Sequence, residues 1–372
     1  MIRYQRTTHT IFLRNNIRYY SLLLQIFVAY WNQWARVSNT FDFGNLKLDN
    51  VYLCHSKTKE IEEELNIPVS SKDIQAVNML NDEQQYAYEI IYRRVTENAR
   101  GCFFLDGPGG TEKTFLYATL LANLRIKGII CVAVTSSGIA AANLAGGRIA
   151  NYRFKIPLDI KQNQRSQISK QSSLAELIRA CKLIIWDEVP MAKRQSIEYF
   201  ESTLRDVCSN NLLFGGKIVV FGGDFRQVLP VIPKSTLQEA LNSSFVMSSL
   251  WPKLEKLHLT VNMRDMRDPA FSDFVLRVGD GSPPYENGKD IKLPRPIVIS
   301  ETEENVLIDR LIAAVYPDIH LINANPSLMT GRAILTPKND DTRAINSILV
   351  SRQQGEAFTY KSFDEAADVA TE

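Results

Sequence analysis

The stretch GCFFLDGPGGTEKTFLYATLLANLRI, residues 101–126, decides the fold class. Residues 101–106 are mostly apolar and end in a carboxylate, which is typical of a buried strand, and residues 114–126 have the length and pattern of a helix. Between them, residues 107–114 follow the phosphate-loop spacing G-x-x-x-x-G-K-[ST], except that Glu112 replaces the second glycine. The sequence therefore predicts a strand, a phosphate loop and a helix in succession.

Four further apolar runs are predicted to be buried strands, because each is short, rich in Ile, Val, Leu or Phe, and bounded by polar or glycine residues. They are residues 129–134, 182–187, 217–222 and 256–261. Longer amphipathic stretches separate them, of which residues 194–207 have the length of a crossover helix. This alternation predicts an α/β fold with a parallel sheet covered on both faces, whose ligands bind at the carboxyl ends of the strands.

Residues at two of these strand ends suit the binding of a nucleotide and Mg²⁺. After the first strand, Lys113 would lie at the β- and γ-phosphates and the Thr114 hydroxyl on Mg²⁺. After the third strand come Asp187, a candidate ligand of Mg²⁺, and Glu188, a candidate base that orients the attacking water. An Asp-Glu pair that ends a strand is weak evidence alone, and it gains weight because a phosphate loop precedes it.

Two residues farther along the chain are candidates for contact with the γ-phosphate. Gln227 follows the fourth strand in the segment GGDFRQ, where its amide could sense a phosphate, although a polar turn explains the segment equally well. Arg264 follows the fifth strand, and could reach the nucleotide from a domain edge as an arginine finger does. A solvated arginine near the start of a helix is the alternative for Arg264.

The end of the second strand suits contact with nucleic acid. Thr135 and Ser136 carry hydroxyls that can bind a phosphate backbone. Farther on, Phe154 lies between Arg153 and Lys155, a pattern that suits base stacking beside a charged track. A core phenylalanine with solvated neighbours fits the same spacing, so both interpretations stay open.

Composition excludes some classes of protein. The 372 residues are 45% hydrophobic and 23% charged, which is ordinary for a globular protein. Lys plus Arg number 43 against 41 Asp plus Glu, a net charge of +2, so binding of nucleic acid by bulk charge is excluded while a local basic groove is not. The five cysteines form no Cys-x-x-Cys pair, which argues against a zinc site or a disulfide scaffold and favours a reducing compartment.

The N-terminal part shows no membrane or secretory signal. Its longest apolar run, residues 20–31, is well short of the roughly 20 residues that cross a bilayer. The first 41 residues contain Arg but neither Asp nor Glu, which fits a mitochondrial transit peptide or, as the preferred interpretation, an amphipathic helix. Residues 42–75 mix charged residues and turn signals, and they predict a linker or a loosely packed approach to the main domain. The predicted domains are residues 1–75, a helical extension and linker; residues 76–261, an ATPase domain; and residues 262–372, a partial second domain.

Taken together, these segments resemble the PIF-type (petite integration frequency) ATP-dependent DNA helicases of superfamily 1, most closely the branch found in Helitron transposons. The resemblance covers about residues 78–366. It rests on the segments LNDEQ at 80–84, GPGGTEKT, VTSSGIAAANLAGG, IIWDEVPM, FGGDFRQVLPV, LTVNMR, DPAFSDFVLRVGDG, RAILTPKNDDTRAIN and GEAFTYKSFD.

The resemblance implies a RecA-like P-loop NTPase domain followed by an incomplete second RecA-like domain, with ATP and Mg²⁺ between the two. It implies ATP hydrolysis coupled to 5′-to-3′ movement on single-stranded DNA, and roles in DNA repair, recombination and telomere maintenance. The implied partners are single-stranded DNA and duplex junctions, not a membrane, and the implied location is the nucleus, with the mitochondrion as the alternative. The oligomeric state is left open.

Site residues follow from the resemblance position by position. Gln84 would contact adenine. The nucleotide would lie on Gly107, Pro108, Gly109, Gly110, Thr111, Glu112, Lys113 and Thr114. Catalytic roles would fall to Lys113, Asp187, Glu188, Gln227 and Arg264, metal binding to Thr114 and Asp187, and DNA contact to Thr135, Ser136 and Phe154.

The sequence departs from the family pattern in three places. Glu112 puts a carboxylate beside the phosphates, where at ~4 Å and an effective dielectric of ~20 the repulsion is ~4 kcal/mol. The family's second set of motifs would follow Glu372, and RAILTP at 332–337 is the one convincing predicted strand after residue 262, so the second domain is expected to be a fragment. Asn151 and Tyr152 stand where the family usually has His-Ser.

Two main hypotheses about function follow. The chain is an active DNA helicase, or it is a catalytically impaired, transposon-derived fragment that retains DNA or partner binding. A third, weaker hypothesis is an ATPase that another subunit completes.

Overall fold

The computed structural model falls into two units, which are described separately: residues 51–292, and residues 1–50 together with 293–372. The described residues are 9–12, 58–160, 166–227, 230–232, 235–263, 268–282, 285–286, 290–294, 298–299, 304–321, 325–329, 331–336, 338–353 and 357–360.

The β-strands are short and lie mainly in the larger unit. They are β1 (His9–Phe12), β2 (Cys102–Asp106), β3 (Cys131–Thr135), β4 (Arg148–Ile149), β5 (Leu183–Asp187), β6 (Ile218–Gly223), β7 (Glu255–His258), β8 (Tyr285–Glu286), β9 (Asp290–Ile291) and β10 (Ala357–Tyr360).

The α-helices are α1 (Lys59–Leu65), α2 (Ser71–Gln75), α3 (Asp82–Thr96), α4 (Lys113–Arg125), α5 (Gly138–Ala142), α6 (Ala150–Arg153), α7 (Ser173–Ala180), α8 (Arg194–Cys208), α9 (Leu237–Asn242), α10 (Pro269–Gly279), α11 (Glu304–Val315) and α12 (Asn339–Ser351). They include the two that the sequence predicts, here α4 and α8, which contribute to the apolar clusters on opposite faces of the sheet. In the part of the chain that the structure describes, no helix is both long and apolar enough to span a bilayer.

A six-stranded sheet organises the larger unit, in the order β4-β3-β5-β6-β2-β7. Neighbouring strands in it pair in parallel, which confirms the predicted α/β fold with a parallel sheet. The register matches Thr135 with Asp187, and Asp106 with Gly223. The strands therefore end together, and the loops that follow them lie along one edge of the sheet.

Alternate residues of the strands feed two cores, one on each face of the sheet. On β5, Ile184 and Trp186 join one apolar cluster and Ile185 joins the other. On β2, Phe104 joins the first cluster, whereas Phe103 lies in the second. Since burial of such a side chain contributes about 1.5–3 kcal/mol, these doubly covered strands hold the sheet together.

The helix that covers one face shows why its sequence folds as it does. Residues Ile197, Phe200 and Leu204 of α8 are fully buried, at the three- and four-residue spacing of one helical face. Phe200 packs against Trp186 of β5, with ring centroids 5.2 Å apart in an edge-on arrangement. This packing fixes the helix over the strand that carries Asp187.

The first described helix of the larger unit, α1, is held to the rest of that unit by ion pairs that are mostly buried. Glu64 accepts a hydrogen bond of 2.5 Å from Arg153, and Arg125 lies 3.8 Å from the same carboxylate. Glu60 accepts a second bond of 2.7 Å from Arg153. Burial raises the pKa of Glu64, although Arg153, Arg125 and Arg148 act in the opposite direction. Residues 58–65, within the stretch 42–75 that is predicted to be a linker or a loosely packed approach to the main domain, thus contact buried arginines of the sheet's surroundings.

The described residues of the smaller unit include an antiparallel pair, β1 with β10, and the helices α11 and α12. Ile312 of α11, Tyr316 directly after it and Leu349 of α12 form a small apolar core. Strand β1 lies within the predicted helical extension, where its β-branched and aromatic residues favour a strand. Residues 331–336, which include most of the predicted strand RAILTP, have no regular structure. The predicted domain limits at residues 75 and 261 stay predictions.

Candidate functional site

The phosphate loop, residues 107–114, follows β2 and ends in the first turn of α4, as the sequence predicts. The Gly107 amide donates to the Gly223 carbonyl at 3.3 Å, which joins the loop to the end of β6. The buried Lys113 ammonium donates to the Gly107 carbonyl at 2.5 Å. The lysine thus lies across the mouth of the loop, where it can exchange a carbonyl partner for a phosphate.

Glu112 occupies a left-handed backbone conformation, with φ +55° and ψ +43°, immediately before α4. Glycine reaches this region without penalty, whereas a residue with a Cβ is disfavoured there by roughly 1–2 kcal/mol. The backbone therefore retains the shape that the glycine of the pattern permits. The substitution leaves that shape in place and adds a half-buried carboxylate to it.

A segment after β7, residues 259–263, lies on the phosphate loop, and we call it the strap. The Asn262 side chain donates to the Gly109 carbonyl at 3.2 Å, and the Met263 amide donates to the Gly110 carbonyl at 2.9 Å. Gly110 has φ +91°, and a Cβ built on it would lie 2.1 Å from the Asn262 side-chain oxygen. The strap can approach this closely only because position 110 has no side chain.

Gln84, the predicted adenine contact, connects the start of α3 to the phosphate loop. Its side-chain amide donates to the Thr111 carbonyl at 3.0 Å, and its side-chain oxygen accepts from the Asn81 amide at 3.1 Å. The side chain is 2% exposed. Its base contact stays a prediction, because in this structure both ends of the side chain bind protein groups.

The neighbouring residue Glu83 fastens α3 to the strap. Its carboxylate accepts from the Thr260 amide at 2.6 Å, the Thr260 hydroxyl at 2.5 Å and the Val261 amide at 3.2 Å. Burial alone would raise the pKa of Glu83, but these three donors outweigh it and lower the pKa. Nothing in the sequence pattern predicts this role for Glu83, although the residue stands beside Gln84 in the segment LNDEQ.

Asp187 and Glu188 stand at the end of β5, and the charge of Lys113 in the phosphate loop acts on both carboxylates. Burial raises the pKa of Asp187, while the Glu188 amide and Lys113 act against it. Burial, Asp187 and Asp224 together raise the pKa of Glu188. Among the described residues, no donor satisfies the buried Oδ1 of Asp187 or the buried hydroxyl of Tyr117. A buried carboxylate oxygen without a donor suits a hard cation such as Mg²⁺, so this residue fits the metal role given to it.

The segment after β6 carries a further ion-pair group near the loop. Gln227 is exposed, and its amide donates to the Asp224 carbonyl at 3.1 Å. Arg226 pairs with Asp224 at 3.3 Å and with Asp280 at 2.6 Å, so it links this segment to the end of α10. The other predicted γ-phosphate contact, Arg264, lies outside the described residues.

Of the predicted DNA contacts after β3, only one presents a hydroxyl at the surface. Thr135 is buried, and its hydroxyl donates to the Ser137 carbonyl at 2.5 Å. Ser136 is half-exposed; its hydroxyl accepts from the Trp186 indole at 3.1 Å, and its amide donates to the Asp187 carbonyl at 3.2 Å. Ser136 is therefore bonded directly to the strand that ends in Asp187.

The structure places Phe154 in the core, the alternative that the spacing left open. Its side chain is 1% exposed, and its ring centroid lies 4.5 Å from that of Phe200. Arg153 is also buried, in its pairs with α1, and is not a solvated neighbour. Phe154 cannot stack on a base from this position, so the assignment to a DNA track is corrected for this residue.

A comparison with protein families identifies the chain. The family described as PIF1-like helicase matches residues 79–289, which is more than half of the sequence. The chain belongs to the PIF1-like helicase family. This confirms the resemblance drawn from the motifs.

Individual relatives are distant and longer. The ATP-dependent DNA helicase PIF1 of Candida albicans is 25% identical over 322 residues, 81% of this chain and 34% of that protein. The ATP-dependent DNA helicase Pif1 of Campylobacter jejuni is 30% identical over 148 residues, 38% of this chain and 32% of that protein. The chain thus spans about a third of the length of these relatives.

Solved structures of the family show the same fold. A Bacteroides Pif1 helicase in complex with ADP-AlF3 and ssDNA has a TM-score of 0.54, with 21% identity over 74% of this chain and 58% of that one. A Candida albicans Pif1 helicase has a TM-score of 0.51, with 18% identity over 74% of this chain and 55% of that one. The predicted RecA-like fold is confirmed for the part of the chain that they cover.

Proposed function

We propose that the chain forms the nucleotide-binding part of an ATP-dependent DNA helicase that moves 5′ to 3′ on single-stranded DNA. The observation that carries the proposal is the common edge of the sheet. There β2, β6 and β5 end side by side, because these neighbouring strands are parallel and in register. The phosphate loop follows β2, the pair Asp187 and Glu188 ends and follows β5, and Gln227 lies in the segment after β6. Such an edge is where α/β sheets bind their ligands.

In the proposed reaction the loop amides and Lys113 bind the phosphates of ATP. Lys113 leaves the Gly107 carbonyl, 2.5 Å away, when a phosphate oxygen offers a stronger, charged partner. Thr114 and Asp187 would hold Mg²⁺, which neutralises phosphate charge when bound. Among these groups, Asp187 is already buried, so little reorganisation is needed before reaction.

Glu188 is the group that we assign to the attacking water. Its raised pKa, caused by burial and by the carboxylates of Asp187 and Asp224, makes it a better proton acceptor than an ordinary glutamate. A general base of this kind takes a proton from water as the oxygen attacks the γ-phosphate. Gln227 would orient the same water or phosphate from the end of β6.

DNA contact belongs to the ends of β3 and β4, which lie at the far side of the same sheet. Ser136 is hydrogen-bonded both to Trp186 and to the Asp187 main chain. DNA bound at Ser136 would therefore contact a residue that is bonded directly to β5, which carries Asp187. Duplex junctions are the proposed substrates for unwinding. Roles in repair, recombination and telomere maintenance, and a nuclear or alternatively mitochondrial location, stay predictions from the family.

Glu112 favours a second candidate function, a catalytically impaired helicase fragment that still binds DNA or a partner. Its carboxylate enters a loop that must bind a polyanion, and the expected repulsion is ~4 kcal/mol at ~4 Å and an effective dielectric of ~20. That figure corresponds to nearly a thousandfold in affinity. The left-handed backbone at Glu112 keeps the loop in a shape that fits phosphate, so the charge is the impediment.

ATP hydrolysis by the purified chain tests both candidates. The chain, Glu112→Gly and Lys113→Ala are compared with and without single-stranded DNA. Hydrolysis that DNA stimulates in the chain and that Lys113→Ala abolishes supports the active helicase. A silent chain with an active Glu112→Gly variant supports the impaired form, in which one side chain blocks the site. Silence from both the chain and Glu112→Gly overturns the catalytic proposal for this polypeptide.

A further inference from the structure

The burial of Phe154 leaves the DNA edge of the sheet without its predicted stacking residue, and a different aromatic side chain lies there. Tyr152 is 80% exposed, in contrast to Phe154 at 1%. It belongs to α6, which begins directly after β4, and β4 pairs with β3 so that Thr135 faces Ile149. Ser136 and Tyr152 therefore both follow the carboxyl ends of two neighbouring strands.

Exposed apolar side chains surround this position along the chain. Ile139 and Leu158 are more than 80% exposed, and Ile149 is 41% exposed. A Cβ on Gly138 would lie 3.6 Å from Ile149, so the turn after β3 contacts the end of β4. Large aliphatic and aromatic residues on one edge mark a surface that binds something.

The charges near this edge favour an anionic ligand. Lys155 is exposed three residues after Tyr152. Two carboxylates of α1 are paired with arginines close to it in the chain, Glu60 with Arg153 at 2.7 Å and Glu63 with Arg148 at 2.9 Å. Asp159 is the exposed carboxylate farther along the same segment. An apolar ring beside a cation matches a nucleotide, which has a π-face and a phosphate.

Ser136 supplies a donor for the phosphate. Its oxygen accepts a hydrogen bond from the Trp186 indole, which is a donor only. The serine hydroxyl then has its own proton to donate, and among the described residues no acceptor takes it. Because the Trp186 indole occupies an acceptor position on the Ser136 oxygen, the hydroxyl proton of Ser136 is directed away from Trp186.

We propose that Tyr152 is the base-stacking platform of this chain and that, with the Ser136 hydroxyl and Lys155, it forms a subsite for one nucleotide of single-stranded DNA. The proposal rests on the proposed function, since it names the residue that binds the DNA of that helicase. It assigns the stacking role to a position where the family usually has serine, two residues before the phenylalanine that the motif suggested.

Binding of a fluorescein-labelled 15-mer of thymidine, followed by anisotropy, tests the subsite. Stacking of one base contributes about 1–3 kcal/mol, so Tyr152→Ala should raise Kd about 5- to 100-fold, whereas Tyr152→Phe should keep it within about twofold. Tyr86→Ala is the matched control, because Tyr86 is 62% exposed on α3 and has no assigned role. Its Kd should equal that of the unaltered chain.

Two readouts separate stacking from a structural effect. In the salt dependence of Kd, Tyr152→Ala should leave the slope unchanged, whereas Lys155→Gln should reduce it by about one. Irradiation of a 5-iododeoxyuridine oligonucleotide should crosslink to the peptide that contains Tyr152. The inference is overturned if Tyr152→Ala binds DNA like the unaltered chain, or if Tyr152→Phe loses as much affinity as Tyr152→Ala. The proposed function would survive either result. Failure of the unaltered chain to bind the 15-mer overturns the DNA part of the proposed function and the inference with it.

Discussion

The two regions that flank the sheet edge are held in different ways. The phosphate loop is fixed by main-chain hydrogen bonds and close contacts, chiefly to the strap, and Gly110 has no room for a Cβ. The β4 corner, residues 148–155, is fixed instead by the carboxylates of α1, which pair with Arg148 and Arg153. The first region should therefore be sensitive to added volume, and the second to a lost charge.

The largest effect is expected from Arg153→Ala, which removes the cation at the centre of the β4 corner. Glu64 is left buried with only Arg125 at 3.8 Å, and breaking a buried ion pair from one side costs about 3–5 kcal/mol. The free energy of unfolding of the larger unit, taken from its transition in urea denaturation, should fall by about 3 kcal/mol. Arg148→Ala is the control, because Arg148 and Glu63 are partly exposed and such pairs contribute about 1 kcal/mol or less.

A double variant sharpens this result. Replacing both members of the pair with apolar residues, as in Arg153→Met with Glu64→Leu, should recover part of the lost stability. The buried Glu64 charge is removed, but the buried Arg125 guanidinium loses its carboxylate and keeps the carbonyls of Ala145 and Cys131. Equal losses in the single and double variants would show that the corner depends on packing of the arginine stem and not on its charge. That outcome would remove the contrast between the two regions.

Gly110→Ala tests the phosphate loop by adding one methyl group. The new Cβ would lie 2.1 Å from the Asn262 oxygen, at a φ of +91° that disfavours any L side chain. Strain of this kind costs about 1–3 kcal/mol, and the same loss is expected in the free energy of unfolding. Gly109→Ala is the matched control on the next residue, where a Cβ meets no atom within 4 Å, and its effect should stay within about 0.5 kcal/mol.

The smallest expected effect concerns Glu83, which holds the strap to α3. Three donors lower its pKa in the folded state below the ordinary value of 4.5, so its contribution is complete above pH 4.5 and is lost as the pH falls toward the folded pKa. Glu83→Ala should cost about 1 kcal/mol at pH 7 after solvent screening of the bonds. The difference between variant and parent should shrink in acid; a constant difference from pH 7 to 3 would rule the carboxylate out.

Much of the architecture follows from the sequence because it depends on local pattern. The strands around Leu105, Val132 and Ile185 were bounded to within a residue or two, since short apolar runs between polar residues specify buried parallel strands. The positions of Lys113, Asp187 and Glu188 followed, because parallel strands end at one edge. Helix α4 was also predicted from its own residues.

The remainder depends on contacts between segments that are distant in sequence. Glu64 and Arg153 are 89 residues apart, and Glu83 reaches Thr260 across 177 residues. Spacing carries no information about such pairs, so the sequence does not predict the ion pairs that hold α1. The DNA contact predicted for Phe154 is wrong for a related reason. The short helix after the edge strand buries Phe154 and exposes Tyr152, and composition alone does not say which aromatic is buried.

The ion pairs of α1 also define where an autonomous folding unit begins. A polypeptide started at residue 76, the limit suggested by motif content, would lack Glu60 and Glu64 and would bury the Arg153 guanidinium without a counterion. The acidic helix is thus an internal counterion for the β4 corner, the proposed DNA edge, and it is supplied from the same chain. Any truncation, splice variant or protease cut that separates residues 58–65 from the sheet would alter the charge of that edge, although no residue of the edge itself had changed.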